Sequence, residues 1–229
     1  MTRAPRPFFE DAALTASLRH QHAQAWERAV GHRFVRELHA GTVPDEVMAR
    51  YLVQDHRFLD AFLQLIGAAL ATARTPAARL RFARFAGEVA GDENTYFLRA
   101  LDALGVSEEQ RAQIPNTAPT DGFLDVFREA AETRDHAAIL AVLLVTEWLY
   151  LDWATRAPAP LPESFVHAEW ISLHDGPGFR DLVDFLRAEL DAAEIEDPER
   201  VRSFFARTVR LENDFFDAAY ETAPEGASA

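Results

Sequence analysis

Helical periodicity runs along almost the whole chain and limits the fold more than any other feature of the sequence. Apolar residues recur every three or four positions, and no segment alternates with the two-residue period of a half-buried strand. Glycine and proline lie between the periodic segments, where helices end and begin. The chain is therefore predicted to be all-α and to fold as a multi-helix bundle. The predicted helices cover 9–39 with a bend near Gly31, 44–72, 76–104, 120–133, 136–156, 162–174, 177–192 and 197–222, with a turn at 107–113.

The predicted helices follow one another without a long linker. The connections are short, and no internal repeat divides the 229 residues. We therefore expect a single helical domain over 1–229, with disordered tails at 1–8 and 223–229.

The formal net charge is −14, which disfavours partners that carry phosphate groups. Nucleic acids and anionic membrane surfaces both need a basic patch, and the arginines here are spread along the helices. No run of 18 apolar residues predicts a membrane span, and the N-terminal segment lacks the apolar core of a secretory signal. We expect a cytoplasmic protein with no nucleic-acid or membrane partner.

Two residue types are missing, and both absences exclude chemistry. Without cysteine there are no disulfides, thiolate metal sites or thiol nucleophiles. Without lysine there is no Schiff-base chemistry and no P-loop lysine. The sequence also has no G-x-S-x-G motif and no Rossmann glycine fingerprint.

Acidic residues on apolar helix faces are the candidates for function. Asp55, Glu147 and Glu212 each interrupt an apolar stripe at helical spacing. A buried acid is costly unless it is paired, so it is either a structural anchor or a functional group. Asp55 and Glu212 have aromatic neighbours, which favours a binding site for a small ring ligand. For Glu147 an arginine partner would be an equally good explanation, and Glu93 is interpreted as a residue at the edge of its helix face.

Five segments, in order along the chain, resemble one known family. The first is "GTVPDEVMARYLVQD" at 41–55, in which a turn precedes a helix containing Y-L-x-Q-D. The others are "PTDGFLDVFREA" at 119–130, "VTEWLYLDWA" at 145–154, "EWISLHDGPGF" at 169–179 and "VRLENDFFDAAY" at 209–220. Together they resemble the TenA (thiaminase II) family over roughly 20–222. The resemblance implies the haem-oxygenase-like helical fold.

The resemblance also implies an activity. Family members hydrolyse the exocyclic C–N bond of an aminomethylpyrimidine, or of thiamin, and release hydroxymethylpyrimidine. Asp55 matches the residue that pairs with the ring nitrogen and amino edge of the pyrimidine, a role that suits a carboxyl group. Glu212 matches the acid–base glutamate, which protonates the leaving amine and activates water. Tyr150 matches a tyrosine of the pocket, and the family's usual dimers or tetramers imply a homo-oligomer.

Other positions depart from the family pattern. The nucleophilic cysteine falls on Thr146, and a threonine without an adjacent base is a poor nucleophile. Tyrosines of the family fall on Phe58, Phe123 and His174, which predicts a more apolar pocket and a different or larger substrate. A divergent branch of the family lacks the cysteine and places its carboxylates differently. Glu147 is the candidate replacement in this chain.

Three functions follow from these residues. The favoured one is C–N hydrolysis, with Asp55 orienting the ring, Glu212 as general acid and Glu147 or His174 assisting water. Di-iron oxygenation, known on this fold, would use Glu88, Glu147 and His174, but the carboxylate–histidine spacing within one helix is missing. The third is a non-catalytic small-molecule binder or partner protein that kept the fold after losing the nucleophile. No metal and no other cofactor is expected, and haem is disfavoured because a proximal histidine in a family-like context is missing.

Overall fold

Every regular element in residues 13–221, which the computed structural model describes, is a helix. The α-helices are α1 (Leu14–Gln21), α2 (Ala23–Val30), α3 (Arg33–Ala40), α4 (Asp45–His56), α5 (Phe58–Thr72), α6 (Pro76–Glu88), α7 (Asn94–Ala103), α8 (Glu108–Gln113), α9 (Ala118–Thr133), α10 (His136–Ala154), α11 (Phe165–Asp175), α12 (Pro177–Ala192) and α13 (Pro198–Ala218). A π-helical turn, Val89–Glu93, joins α6 to α7. The all-α prediction is confirmed. The predicted tails and the first residues of the first predicted helix, 9–12, lie outside the described residues.

Two short-range predictions differ from the structure. The predicted helix 9–39 is divided into α1, α2 and α3, the last break falling at Gly31 as expected. The predicted turn at 107–113 contains the helix α8 instead. Ser107 caps α8 by accepting the N–H of Gln110, whose side chain accepts the N–H of Ser107. No residue of α8 is buried, so apolar periodicity could not predict this helix.

The predicted helix 44–72 is divided as well, because α4 ends at His56 and α5 begins at Phe58. Arg57, between them, donates from its guanidinium to the carbonyl oxygens of Arg111 and Ile114. These contacts tie the junction to a distant part of the chain and leave no trace in the local sequence pattern. The junction matters because it places the last turn of α4 and the first turn of α5 against the same space.

The helix α10 lies in the middle of the bundle and packs against α5, α9, α12 and α13. It is apolar on all sides and buried along nearly its whole length, which is typical of a core helix. Among residues 13–221 it is the one helix long and apolar enough to cross a membrane, but 89% of its apolar window is buried in the bundle. Asp135 caps the N-terminus of α10, where its side chain accepts hydrogen bonds from the N–H groups of Ala137 and Ala138. Side chains on α10 are therefore held on rigid backbone.

Candidate active site

A cavity lies between the α4–α5 junction, the π turn, α9, α10, α11 and α13. Its volume is about 540 Å³ when the open space at its mouth is included. All eight residues predicted as site residues line it: Asp55, Phe58, Phe123, Thr146, Glu147, Tyr150, His174 and Glu212. The lining also contains Leu59, Phe62, Glu93, Phe127 and Trp170. The structure brings the predicted residues together, while the roles assigned to them remain predictions.

In the Y-L-x-Q-D motif, Tyr51 and Gln54 hold neighbouring helices in place, and Asp55 lines the cavity. Gln54 donates to the carbonyl oxygen of Pro115 at 2.9 Å and accepts from the Thr120 hydroxyl at 2.7 Å, which joins α4 to the start of α9. The Tyr51 hydroxyl lies 2.8 Å from that of Tyr150 and fixes the pocket tyrosine on α10. Burial raises the pKa of both phenols well above the usual range, so both stay protonated.

Asp55, the last residue of the motif, presents a carboxyl group to the cavity. Its Oδ2 atom is buried and has no hydrogen-bond partner among residues 13–221. Burial raises the pKa of Asp55 well above its usual range, and the nearby Glu93 raises it further. Leaving a buried polar atom unpaired costs roughly 1–3 kcal/mol, so a ligand that supplies a hydrogen bond here recovers that free energy.

Glu147 and Glu212 are the most enclosed acids of the site, with 8% and 2% of their surface exposed. Burial raises the pKa of Glu147 well above normal, and Glu93 and Asp55 add to the rise. Burial likewise raises the pKa of Glu212, with further contributions from Asp55 and Glu147. No arginine among residues 13–221 forms a salt bridge with Glu147, so the anchor explanation left open by the sequence has no partner there. Because these carboxyl groups raise one another's pKa, ionisation of one opposes ionisation of the others.

His174 is buried among aromatic rings at the end of α11. Its Nδ1 atom lies 2.8 Å from the carbonyl oxygen of Trp170, which can only accept, so Nδ1 carries the proton. Burial lowers the pKa of His174 to about 4, and this hydrogen bond opposes the fall. The imidazole is therefore neutral near pH 7, and its Nε2 atom keeps a lone pair that can accept a proton or a hydrogen bond.

Thr146 occupies the position that the resemblance assigns to a nucleophile. Its hydroxyl donates to the carbonyl oxygen of Leu143 one turn earlier in α10, at 2.9 Å. The hydroxyl also lies close enough to the carboxyl group of Glu147 to lower the pKa of that group, against the larger effect of burial. A threonine becomes a nucleophile only when a base takes its proton, and here the proton is directed to the backbone.

Aromatic rings form the apolar wall. The ring of Phe58 lies 5.0 Å from those of both Phe123 and Phe215, centroid to centroid, and Phe127 lies 5.6 Å from Phe123. These distances are typical of packed aromatic pairs. Because Phe58 and Phe123 are phenylalanines, this wall offers a ligand contact area without hydroxyl groups.

Glu93 is a lining residue that the sequence interpretation placed wrongly, at the edge of its helix face. It ends the π turn, and the altered winding of that turn directs it into the cavity. Burial raises its pKa to about 7. The interpretation assumed one regular helix over 76–104, and a π turn cannot be predicted from that periodicity. The available signal was chemical: π turns are frequent at functional sites, and this one contains an acid.

Glu93→Gln is expected to change how stability depends on pH. The pKa is raised from 4.5 to about 7, so folding retains a proton that the unfolded chain releases. This contribution to the free energy of unfolding is complete below pH 4.5 and is lost as the pH rises through about 7. Between about pH 5 and about pH 8 the variant should lose ~1–3 kcal/mol less stability than the wild type, measured by urea unfolding. Identical pH dependence in the two proteins would contradict this.

The residues considered as iron ligands line one cleft but are not arranged around a common point. Glu147 and His174 lie at its inner end, whereas Glu88 is exposed on α6 and forms a salt bridge with Arg81 at 3.2 Å. In the described part of the chain, no three histidine or acidic side chains are arranged to hold a metal ion. The donor set that a di-iron site requires is therefore not assembled by these residues.

Fold and cavity together define a class: an all-helical domain that encloses a small-molecule site lined by carboxyl groups and aromatic rings. Residues 19–222 match the TENA/THI-4/PQQC family. The chain belongs to that family, which confirms the resemblance found in its sequence.

Similar proteins are known in several organisms. The aminopyrimidine aminohydrolase of Halalkalibacterium halodurans is 23% identical over 215 residues, covering 91% of this chain and 96% of the relative. That of Bacillus subtilis is 25% identical over 181 residues, covering 79% and 77%. The solved structure of a TenA homologue from P. horikoshii superposes with a TM-score of 0.82 at 22% identity, covering 91% of this chain and 99% of that one. At this identity the structural match establishes the fold alone.

Proposed function

We propose that this protein is a hydrolase of the thiamin-salvage type that cleaves the exocyclic C–N bond of an aminopyrimidine-like substrate. The observation that carries the proposal is the buried Oδ2 atom of Asp55, which has no hydrogen-bond partner among residues 13–221, in an aromatic cavity that also contains Glu147 and Glu212. Membership of the TENA/THI-4/PQQC family and the two aminohydrolase relatives support it.

Asp55 would orient the ring. An aminopyrimidine presents an amino donor next to a ring nitrogen, and a carboxyl group pairs with both through its two oxygens. The rings of Phe58 and Phe123 provide a flat apolar surface for the heterocycle. Tyr150, held by Tyr51, supplies a hydroxyl that can bond to a ring substituent.

Glu212 and Glu147 would perform the proton transfers. The water oxygen forms a bond to the methylene carbon as the C–N bond breaks, and the amine leaves with a proton. Glu212, whose pKa is raised by burial, would donate that proton as general acid in its protonated form. Glu147 in its ionised form, or the lone pair of His174 Nε2, would accept a proton from the attacking water. The products are the hydroxymethyl compound and the free amine, and no covalent intermediate is required.

A non-catalytic binder is the second candidate, and one observation favours it. The cavity keeps the ring-binding acid, but the nucleophile position is Thr146, whose hydroxyl proton is committed to Leu143. Such a protein would bind the same pyrimidine-like molecules and leave their C–N bond intact.

The cellular location, the partners and the oligomeric state of the protein are also proposals. A cytoplasmic location is proposed for this helical domain, and the net charge of −14 argues against nucleic-acid and anionic-membrane partners. The family resemblance supports a homo-oligomer, a dimer or a tetramer. Size-exclusion chromatography with light scattering tests the oligomeric state directly.

The wild-type protein tests the function in two measurements. Calorimetry with aminomethylpyrimidine and hydroxymethylpyrimidine is expected to show binding, and benzyl alcohol, which lacks the ring nitrogens and the amino group, is expected to show none. A coupled assay is then expected to detect ammonia from aminomethylpyrimidine. Binding without release would favour the non-catalytic binder, and absence of binding to either pyrimidine would overturn the proposal.

A further inference from the structure

A second cleft lies next to the cavity and holds about 710 Å³, including its open side. The cavity and the cleft share Glu93, Glu147 and His174, so these three side chains form the partition between them. The far wall of the cleft comes from the end of α6 and the beginning of α12. The cleft is therefore reached from the outside of the bundle and ends at the proposed reaction site.

The cleft combines apolar walls with negative charge. Phe85, Val89 and Leu182 supply buried apolar surface, and Glu88 and Asp92 lie at the exposed side. Glu88 is neutralised in part by Arg81, but Asp92 forms no salt bridge within residues 13–221. No arginine of the described residues 13–221 lines the cleft. Apolar surface together with uncompensated carboxylates suits an organic cation that has an apolar body.

Glu147 is an independent sign that a ligand belongs at the partition. Its side chain is 8% exposed and lines both spaces. No basic residue pairs with it among residues 13–221. The adjacent Thr146 hydroxyl has one proton and donates it to Leu143 instead. A buried acid in this state gains a partner when a donor such as an amine N–H is placed at the partition.

We propose that the cleft is the subsite for the leaving amine, so that the preferred substrate carries an N-substituted amine with an apolar body rather than a primary amine. This inference rests on the proposed function. The pyrimidine would occupy the cavity, and the scissile C–N bond would lie at the partition. A C–O bond to water forms and the C–N bond breaks. One proton passes from a carboxyl group to the nitrogen, and one passes from water to a carboxylate.

Gly178 offers a way to fill the cleft without touching the cavity. It lines the cleft only, and a Cβ atom added there meets no atom within 4 Å. Gly178→Leu therefore places a side chain in the leaving-amine subsite. Gly67→Leu is the matched control, because Gly67 is also helical and exposed, also has no atom within 4 Å of an added Cβ, and lines neither space.

The test compares aminomethylpyrimidine with its N-benzyl derivative by calorimetry. We expect the wild type to bind the N-benzyl compound about tenfold or more tightly, a difference of about 1.4 kcal/mol. Gly178→Leu should remove this advantage and leave the affinity for aminomethylpyrimidine unchanged, which also shows that the variant is folded. Gly67→Leu should keep the tighter binding of the N-benzyl compound. Asp92→Asn should weaken binding of the N-benzyl compound about threefold, with the exposed Asp102→Asn as control.

The outcomes distinguish a failure of the leaving-amine subsite alone from a failure of the proposed function. If aminomethylpyrimidine binds and the N-benzyl compound binds no better, or if Gly178→Leu leaves the advantage intact, the leaving-amine subsite is refuted and the proposed function stands. If neither compound binds the wild type, both proposals fall together.

Discussion

Glu212→Gln is expected to lower kcat for C–N hydrolysis by ~10²–10⁴-fold, the usual contribution of a positioned general acid or base. Glutamine has nearly the same shape and still forms hydrogen bonds, but it cannot give a proton to the departing nitrogen. An amine without that proton is a poor leaving group, so the loss should appear in kcat rather than in substrate affinity. The measurement is amine release under saturating substrate, with affinity followed by calorimetry.

The same helix provides the control for this experiment. Asp214 lies two residues after Glu212 on the exposed face of α13, and Asp214→Asn should leave kcat unchanged. Glu147→Gln should also lower kcat, because the water-activating proton acceptor is lost, unless His174 Nε2 takes over that step. Undiminished kcat in Glu212→Gln, with affinity retained, would remove Glu212 from the mechanism.

Asp55→Leu is expected to weaken binding of hydroxymethylpyrimidine by ~10²–10³-fold. The carboxyl group makes two hydrogen bonds to the ring in the proposed complex, and hydrogen bonds that involve a charged group contribute about 1.5–3 kcal/mol each. Leucine removes both bonds and leaves the amino group and ring nitrogen of the ligand buried and unpaired, which adds to the loss. Calorimetry measures the affinity directly.

A second substitution at the same position tests the charge alone. Asn keeps one donor and one acceptor, so Asp55→Asn should lose only the charge-assisted part, about tenfold. Asp60→Asn, on the exposed side of α5, should have no effect. If Asp55→Leu binds as tightly as the wild type, Asp55 does not recognise the ring.

Much of the fold could be predicted because burial imposes a helical period on the sequence. From 118 onward the predicted helices agree with the structure to within four residues at either end. The helix predictions that were wrong share one physical reason. The interactions that decide them are not part of the local pattern of apolar residues. α8 is formed by its cap without burying a residue, and Arg57 divides α4 from α5 through contacts with residues more than fifty positions away.

The residues of the candidate site can likewise be separated into those that the sequence pattern identifies and those that it does not. Asp55, Glu147 and Glu212 could be identified because an acid in an apolar stripe is conspicuous, and the family resemblance supplied Thr146, Tyr150 and His174. Glu93 was misplaced because a regular helix was assumed through 76–104. Trp170 lines the cavity with an indole N–H that has no partner among residues 13–221. Sequence periodicity cannot distinguish such a tryptophan from an ordinary core residue.

The number of residues in the π turn, and not only their identity, decides which side chains face the cavity. A π turn holds one residue more than the α-helical turn it replaces, and one residue of an α-helix corresponds to about 100° of rotation. Deleting one residue within 89–93 would therefore convert the segment into a regular α-helical turn, keep α7 near its present orientation and change which side chains of the segment face the cavity. In an alignment of relatives, a one-residue gap in this segment is expected where the helix runs through it without a π turn, so a glutamate in the column of Glu93 is not sufficient to place a fourth carboxyl group in the cavity.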